Sequence, residues 1–534
     1  MKPRFRLPFM RWLAPPVIGA LALLSGATVA VAGPLAAGPV VRVPDDPLGG
    51  SSTCAALVAQ QTALGSTNFP DTEVEPHVAV DPTNAMHLVG SVQQDRWNDG
   101  GANGLINFVS TNGGASWTLA AGQPQFSICE GAQSGSAGFF NRASDPWVSF
   151  SSDGQVVYST SDSFNANGPG FGGASSTIVS RSTDGGNHWQ APVIARLDTS
   201  TQVLNDKESV TADPLDVNTA YAIWDLIESP QSHANPSAFI HAIAVRGPVV
   251  FSRTNDKGVT WSQGQIVFDP GQNDQTTANQ IVVPTTGPGK GVLIDGMSLI
   301  TNQGGKCPFT HGAQHCGGGS TFTASVIRST DDGKTFSDAV GIDVQNVAAV
   351  TIAGQHVRSS DELPEFAVNP VSGNVYAVWQ DSRFSPNGTS KIAFAQSADG
   401  GLTWTNTIRI DQSPGDTPAF VPQISVASDG TIGLLYYDLE NATALQPGLT
   451  DAFIAHCHSA SSDCANPASW AAGGETRLST TGSFDYTTAP NSNGLFLGDY
   501  DGLTSAGTTF KACFAMSKPV AIAGAADVFS NSAR

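Results

Sequence analysis

Short segments in which every second residue is apolar recur along most of the chain. Examples are Tyr221–Asp225, Tyr376–Asp381 and Ile392–Ser397. A period of two places successive side chains on opposite faces, which is typical of β-strands. Apolar segments upstream of these end in an Asp-Pro or Asn-Pro turn, as in Pro76–Pro82. The pattern predicts an all-β fold of short strands joined by tight turns.

Five segments share the pattern Ser/Thr-x-Asp/Asn-x-Gly-x-x-aromatic, and their closing aromatic residues are 72, 72, 75 and 68 positions apart. The Asp or Asn side chain can accept backbone N–H groups within a turn, and the Gly permits positive φ. We expect the aromatic ring to pack back under the turn. The repeat therefore predicts equivalent hairpin turns with a structural role, at Ser110–Trp117, Ser182–Trp189, Thr254–Trp261, Ser329–Phe336 and Ser397–Trp404.

A degenerate sixth copy ends at Trp470, which lies 66 positions after Trp404. The preceding loop contains Cys457 and Cys464. We hypothesise that a disulfide between them replaces the hydrogen-bonded turn.

Each turn lies inside a larger unit with four predicted strands, which is typical of the blades of a β-propeller. Six such units span residues 72–482. A seventh, partial unit has predicted strands at Leu495–Tyr500, Phe510–Phe514 and Asp527–Ser530. Val40–Val43 resembles the other fourth strands and would cover the open edge of this unit. We therefore predict seven antiparallel four-stranded blades, with the ring closed by N- and C-terminal strands. Six blades plus an extra hairpin is the alternative.

The N-terminus combines basic residues with an apolar stretch that ends at Ala30-Val31-Ala32. This is typical of a signal peptide, so we predict three parts: a signal peptide at 1–32, an N-terminal segment at 33–71 and the propeller at 72–534. An uncleaved membrane anchor is the alternative. No later apolar run is long enough to span a membrane. The predicted location is extracellular or periplasmic, and we expect a monomer.

Composition narrows the class of partner. The formal net charge is -20, which argues against binding to nucleic acid because a polyanion would be repelled. The 7 cysteines fit an oxidising compartment. We expect Cys54–Cys129, Cys307–Cys316 and Cys457–Cys464 pairs, with Cys513 a buried free thiol.

The repeated turns resemble the Asp-box, or BNR, repeats of sialidase-like β-propellers. That resemblance implies a secreted glycoside hydrolase acting on terminal sugars of glycans, with its site on the face away from the turns. Sialidases grip the sugar carboxylate with three arginines and use a Tyr/Glu pair and an Asp in catalysis. They have six blades, so a seventh departs from the family.

The candidate residues are those predicted to lie on the face away from the turns. The Arg-Ile-Pro-type motif that usually supplies the first arginine of the family is missing, and no other motif fixes the Tyr or Glu. The candidates are therefore residues of the required types among those on this face. They are Tyr486, Glu208, Glu365 and Asp95 for catalysis, and Arg96, Arg142, Arg358 and Arg383 for substrate binding.

Two alternatives remain open. The chain could be a non-catalytic extracellular propeller that binds glycan or protein, because fold does not fix function. The acid-rich loops could also hold Ca²⁺, although no EF-hand spacing is present. No Cys or His spacing indicates a zinc site, and no other cofactor is expected.

Overall fold

The computed structural model describes residues 33–167, 171–228, 246–302 and 320–534. The predicted signal peptide and the Cys307–Cys316 pair lie outside the described residues. The predicted division at 33–71 and 72–534 stays a prediction.

Over the described residues the chain is mainly β-structure, and its strand pairings are antiparallel. The pairings group most strands into sets of four, and a single pair, Ala102 opposite Ala143, joins the first two sets into one eight-stranded sheet. In chain order, β1 (Val41–Arg42) precedes a first set of β2 (Glu73–Asp81), β3 (Asn84–Arg96), β4 (Ala102–Ser110) and β5 (Thr118–Leu119). The second set comprises β6 (Arg142–Phe150), β7 (Val157–Ala166), β8 (Phe171–Ser182) and β9 (Val193–Asp198). The third comprises β10 (Val203–Ala212), β11 (Ala220–Glu228), β12 (Val249–Thr254) and β13 (Gln265–Phe268).

The remaining sets follow the same order. The fourth comprises β14 (Gln275–Val282), β15 (Leu293–Asn302), β16 (Ser320–Ser329) and β17 (Val340–Gln345), and a separate hairpin of β18 (Val350–Ile352) and β19 (Gln355–Val357) follows it. The fifth comprises β20 (Glu365–Val368), β21 (Val375–Asp381), β22 (Lys391–Ser397) and β23 (Ile408–Arg409). The sixth comprises β24 (Ala419–Val426), β25 (Thr431–Asp438), β26 (Leu449–His458) and β27 (Glu475–Arg477), and β28 (Phe484–Asp485) also pairs with β26. The last contains β29 (Gly502–Ala506), β30 (Thr509–Ser517) and β31 (Ala526–Ala533).

The N-terminal strand completes the last set, as the sequence predicts. β1 pairs with β31, with Val41 opposite Ser530 and Arg42 opposite Phe529. The predicted strand at Leu495–Tyr500 is wrong, because the first strand of this set begins at Gly502. Residues 495–500 instead bond to other parts of the chain: the Leu497 carbonyl accepts the N–H of Glu75, and the Leu495 carbonyl accepts that of Arg358.

The first strands of successive sets pack against one another. β2 contacts β6, β6 contacts β10, and the series continues through β14, β20, β24 and β29. β29 in turn contacts β2. The side chains of these strands are mostly buried, because each set covers its neighbour and apolar faces are removed from water.

The five repeated turns share one hydrogen-bond pattern. In the third, the Thr254 hydroxyl accepts the N–H of Gly258 at 2.9 Å, and Asp256 Oδ1 accepts the N–H of Thr260 at 2.9 Å. Corresponding bonds occur in the other four turns. The predicted turn chemistry is therefore observed, and none of the five closing aromatic residues lies in a helix.

The closing aromatic rings are expected from the sequence to pack under their own turns. They also contact side chains of the preceding set of strands. Trp261 lies edge-on to Tyr158 of β7, and Phe336 lies edge-on to Phe251 of β12. The Nε1–H of Trp117 in the first set donates to the Ser530 hydroxyl of β31 at 2.7 Å. The turns thus contribute to packing between sets as well as to their own hairpins.

The degenerate copy keeps this packing with a different turn. Cys457 and Cys464 form the predicted disulfide. Trp470 lies in a short helix, Pro467–Gly473, and packs edge-on to Phe394 of β22.

The N-terminal segment contains a helix that the sequence pattern does not reveal, α1 (Ser52–Ala63). The Ser51 hydroxyl caps it by accepting the N–H of Cys54, and the predicted Cys54–Cys129 disulfide holds it to the loop before β6. Cys513 is a buried free thiol, as expected. Among the described helices, none has the length and apolar character to cross a membrane.

Candidate functional site

Five of the first strands share a local distortion. In each, a non-glycine residue with φ between 50° and 60° marks a shift of pairing register, as in a β-bulge. A bulge breaks the alternation of the strand and redirects a side chain. The residues are Glu75 in β2, Asp145 in β6, Lys207 in β10, Ala278 in β14 and Val421 in β24.

Three of these residues are charged and belong to one group of ion pairs. Lys207 Nζ lies 3.5 Å from Asp145 Oδ1 and 3.9 Å from Glu75 Oε1. It lies only 2.5 Å from Asp499 Oδ2. Arg358 also contacts Asp499, with Nη2 to Oδ2 at 2.5 Å and Nε to Oδ1 at 3.0 Å. We call Glu75, Asp145, Lys207, Arg358 and Asp499 the inner-strand cluster.

The cluster holds its carboxyl groups in different protonation states. Burial alone would raise the pKa of Asp499, but the charges of Arg358 and Lys207 outweigh it and hold that pKa well below its usual range. Burial raises the pKa of Glu75 to about 8, because the opposing charge of Lys207 compensates it only in part. The two cations therefore keep Asp499 ionised at neutral pH, whereas burial favours the protonated form of Glu75.

Aromatic rings surround the cations of this region. Phe496 lies between two guanidinium groups, 4.5 Å from that of Arg96 and 4.4 Å from that of Arg358. Lys207 Nζ lies 5.8 Å from the ring centroid of Tyr500. These contacts allow cations to remain in a largely desolvated place.

A cavity of ≈ 20 Å³ adjoins the cluster. That volume admits a water molecule, and a sugar ring is larger. Its lining combines carboxyl groups, one cation, amides and aromatic rings. The lining residues are Asp145, Trp147, Lys207, Glu208, Ser209, Ala278, Asn279, Gln280, Leu363, Glu365 and Tyr500.

Two predicted catalytic residues, Glu208 and Glu365, line this cavity. Both are buried, at 2% and 8% exposure. Neither carboxylate oxygen of Glu208 has a hydrogen-bond partner among the described residues, nor does Oε2 of Glu365. Burial raises the pKa of Glu365 to about 8 and that of Glu208 well above its usual range. Nearby carboxylates, Asp145 first, add to the effect on Glu208.

The other two predicted catalytic residues lie in different surroundings. Tyr486 is buried, with its ring edge-on to those of Phe420 and Tyr437, and burial raises its pKa. Asp95 accepts the backbone N–H groups of Leu48 at 3.0 Å and Asp71 at 2.8 Å. Its carboxylate thus holds the N-terminal segment against β3.

The four predicted substrate-binding arginines fall into two groups. Arg96 and Arg358 flank Phe496 at the inner-strand cluster. Arg142 is buried, with Nη1 2.6 Å from Asp99 Oδ1. Arg383 pairs with Asp381 at 2.8 Å and Asp343 at 2.5 Å. The structure therefore brings Arg96 and Arg358 together. Arg142 and Arg383 instead form ion pairs with carboxylates outside the inner-strand cluster.

Six residues of this region are outside the eight catalytic and binding candidates, although the strand pattern places Glu75, Asp145, Lys207 and Asp499 on the same predicted face. The other two are Phe496 and Tyr500. One signal could have found three of the six. Glu75-Pro76-His77-Val78, Asp145-Pro146-Trp147-Val148 and Lys207-Glu208-Ser209-Val210 begin the apolar part of successive first strands. Aligning these segments shows that the bulge position is charged in three consecutive units.

No protein-family model matches the chain, and no curated protein matches its sequence significantly. Solved structures with a similar backbone include a protein of unknown function from Dyadobacter fermentans (14% identity, 94% of this chain and 99% of that chain, TM-score 0.43). An α-L-arabinanase from Penicillium chrysogenum has 11% identity over 76% of this chain and 94% of its own, with TM-score 0.43. A variant of the NanB sialidase from Streptococcus pneumoniae has 10% identity over 94% and 99%, with TM-score 0.43. The residues of the cluster and cavity are therefore interpreted from their own contacts.

Proposed function

We propose that this chain is a secreted glycoside hydrolase acting at the cavity lined by Glu208 and Glu365. The observation that carries the proposal is that two buried carboxyl groups with unpartnered oxygens, among the described residues, line one cavity. Glycoside hydrolysis uses two carboxyl groups, one as proton donor and one as nucleophile or base. The solved structures named above include a sialidase and an arabinanase, so acidic and neutral sugars both deserve testing.

Glu365 is the proposed proton donor. With its pKa at about 8, it carries a proton at neutral pH, as a general acid requires. Glu208 is the proposed second carboxyl. Because burial and Asp145 raise its pKa, it acts as nucleophile or base only in the fraction of molecules in which it has lost its proton. Trp147 and Tyr500 offer apolar surface for a sugar ring, and the ring requires lining side chains to move apart, since the cavity holds ≈ 20 Å³.

The contacts favour a neutral terminal sugar over sialic acid. A sugar carboxylate needs free guanidinium groups. Arg142 and Arg383 are already paired with carboxylates, and Arg358 is paired with Asp499. Tyr486, which would serve as a sialidase nucleophile, is enclosed by aromatic rings.

We also propose that the sets of strands form the seven blades of a closed propeller. Two contacts support this: the first strands pack in sequence order back to β2, and β1 pairs with β31. Secretion is supported by the two disulfides of the described residues.

A panel of fluorogenic glycosides, including arabinosides and sialosides, tests the activity. We expect hydrolysis by the wild type and a loss of at least about 100-fold in kcat/KM for Glu208→Gln and Glu365→Gln, since general acid–base groups contribute about 10²–10⁴-fold. Glu73→Gln is the matched control, because Glu73 is also a buried glutamate with one unpartnered oxygen among the described residues, but it bonds to Val528 instead of lining the cavity. Equal activity in all three variants would refute the assignment.

A second candidate is non-catalytic binding of glycan or protein, favoured by a separate groove. This groove has ≈ 650 Å³ and lies beside the fourth repeated turn, lined by Phe251, Arg253, Gln265, Asp332, Lys334 and Phe336 among others. Its size suits a small ligand better than the inner cavity does. Glycan-array binding without hydrolysis, abolished by Arg253→Ala and retained in Glu365→Gln, would favour this function.

A further inference from the structure

Three acidic side chains meet between the second and third sets, beside the cavity. Asp145 lies at the bulge of β6, Asp162 in β7 and Asp206 immediately before the bulge of β10. One carboxylate oxygen from each lies within 4.8 Å of the other two. We infer that Asp145, Asp162 and Asp206 bind one Ca²⁺ ion that joins the two sets.

The first support is an unsatisfied buried carboxylate within the group. Asp162 is 1% exposed, and its Oδ1 has no hydrogen-bond partner among the described residues. A buried polar atom without a partner is costly, because it has lost its water without replacement. A cation between the three side chains supplies the missing partner.

The second support comes from a carboxylate outside the group. Glu208 is 2% exposed, neither of its oxygens is hydrogen-bonded within the described parts of the chain, and it lines the same cavity as Asp145. Three buried carboxyl groups and the half-buried Asp206 thus lie in this region.

Lys207 pairs with one member of this group, Asp145, but its shorter contact is with Asp499. Its Nζ lies 2.5 Å from Asp499 and 3.5 Å from Asp145. A divalent cation bound at the point where Asp145, Asp162 and Asp206 converge would offset the mutual repulsion of their carboxylates.

The ligand atoms select the type of ion. All three are carboxylate oxygens, which hard cations prefer, and no His or Cys belongs to the group. Ca²⁺ binds oxygen at about 2.3–2.6 Å, so oxygens on opposite sides of it lie about 4.6–5.2 Å apart. The three oxygens lie within 4.8 Å of one another, so one ion of this size can contact all of them. Mg²⁺ demands a near-ideal octahedron, whereas Ca²⁺ accepts irregular arrangements of carboxylates such as side chains from three separate strands provide. A single ion would therefore link β6 and β7 to β10.

Calorimetric titration of the chelator-treated full chain with CaCl₂ tests the inference without any assay of hydrolysis. We expect one Ca²⁺ per chain, weaker binding of MgCl₂, and a melting temperature that rises with Ca²⁺ concentration and falls again with EDTA. Absence of Ca²⁺ binding and an unchanged melting temperature would overturn the proposal and indicate that protonation neutralises these carboxyl groups.

Variants locate the ion. Asp162→Asn and Asp206→Asn should each weaken Ca²⁺ binding by at least about 10-fold, because affinity depends on the number of charged ligands. Asp295→Asn is the matched control, since Asp295 is a buried aspartate of β15 that bonds to Asn279 outside the group. Unchanged binding in both test variants would place the ion elsewhere and refute the site. If one test variant fails to fold, the Ca²⁺ affinity of the other variant, together with the number of Ca²⁺ ions bound per wild-type chain, tests the site.

Discussion

The ammonium of Lys207 lies 2.5 Å from a carboxylate oxygen of Asp499, although the two residues are 292 positions apart in the sequence. Lys207 belongs to the third set of strands, whereas Asp499 precedes the last set. Their contact places a loop near the C-terminus at the bulges of the first strands, where Glu75 and Asp145 also lie. The pair is thus both an electrostatic link and a long-range constraint on the fold.

Removal of the Asp499 charge should destabilise the protein strongly. Asp499→Asn leaves Lys207 and Arg358 without their shared buried partner, and breaking such a pair typically costs about 3–5 kcal/mol. Denaturant unfolding measures this. The control is Asp269→Asn, which breaks the more exposed pair with Arg246 and should cost at most about 1 kcal/mol. If Asp499→Asn and Asp269→Asn lower the free energy of unfolding by the same small amount, the inner-strand cluster contributes little to stability.

Hydrolysis should decline in alkaline solution. Glu365 has a pKa of about 8, raised by burial, so its acid form is present below that pH and is lost above it. The pH profile of kcat/KM on the best glycoside of the panel should therefore fall through about pH 8. The residual activity of Glu365→Gln should lack this limb, and a limb that persists in the variant would assign it to another group.

Acid should destabilise the fold through His77. Its ring stacks on Trp147 at 4.0 Å, its Nδ1 accepts the N–H of Val148, and burial lowers its pKa to about 3. In the unfolded chain the imidazole of His77 binds a proton below about pH 6.5. In the folded chain the same imidazole stays neutral until about pH 3. Stability should thus fall as the pH drops from about 6.5 towards 3, by up to about 1.4 kcal/mol per pH unit for this residue.

The slope of unfolding free energy against pH for His77→Gln checks this expectation. The variant should show a shallower slope across that range. His188→Gln, which removes an exposed imidazole, controls for the loss of one histidine. Identical slopes in the wild type and His77→Gln would contradict the expected role.

Glycine at the fourth repeated turn should be required for steric reasons beyond its backbone angle. Gly333 has φ +80, and a Cβ there would lie 2.3 Å from Cζ of Phe251. Gly354 has φ +77 with nothing within 4 Å. Gly354→Ala should cost about 1–2 kcal/mol from backbone strain alone, and Gly333→Ala should cost about 1–3 kcal/mol more from overpacking. Thermal unfolding compares the two, and equal losses would show that Phe251 moves aside freely.

The sequence predicts the repeated parts of this structure well because they depend on local chemistry. The turn at Thr254–Trp261 needs only its own side chains and one glycine, and the strands around it follow from alternation. The pairing of β1 with β31 is also predictable, since an open edge needs a partner. Spacing alone likewise suggests the Cys457–Cys464 disulfide.

The candidate site is less predictable because it depends on which distant residues meet. Glu208 and Glu365 come from different sets and line one cavity, which only the packing of first strands determines. Asp162 lies inside an ordinary strand and has no sequence feature that distinguishes it. Arg142 has the residue type that substrate binding requires, but it forms an ion pair with Asp99. No sequence motif predicts that contact. Helix α1 was missed since its segment has no amphipathic repeat.

The pairing of β1 with β31 has a consequence for the order of events during synthesis. A ribosome releases Val41 and Arg42 almost five hundred residues before Ser530 and Phe529, their partners in the final sheet. β1 therefore has no partner strand until translation is nearly finished. Nascent chains arrested before β31 should consequently remain accessible to proteases near residue 41, and become resistant there only once the last strand has emerged.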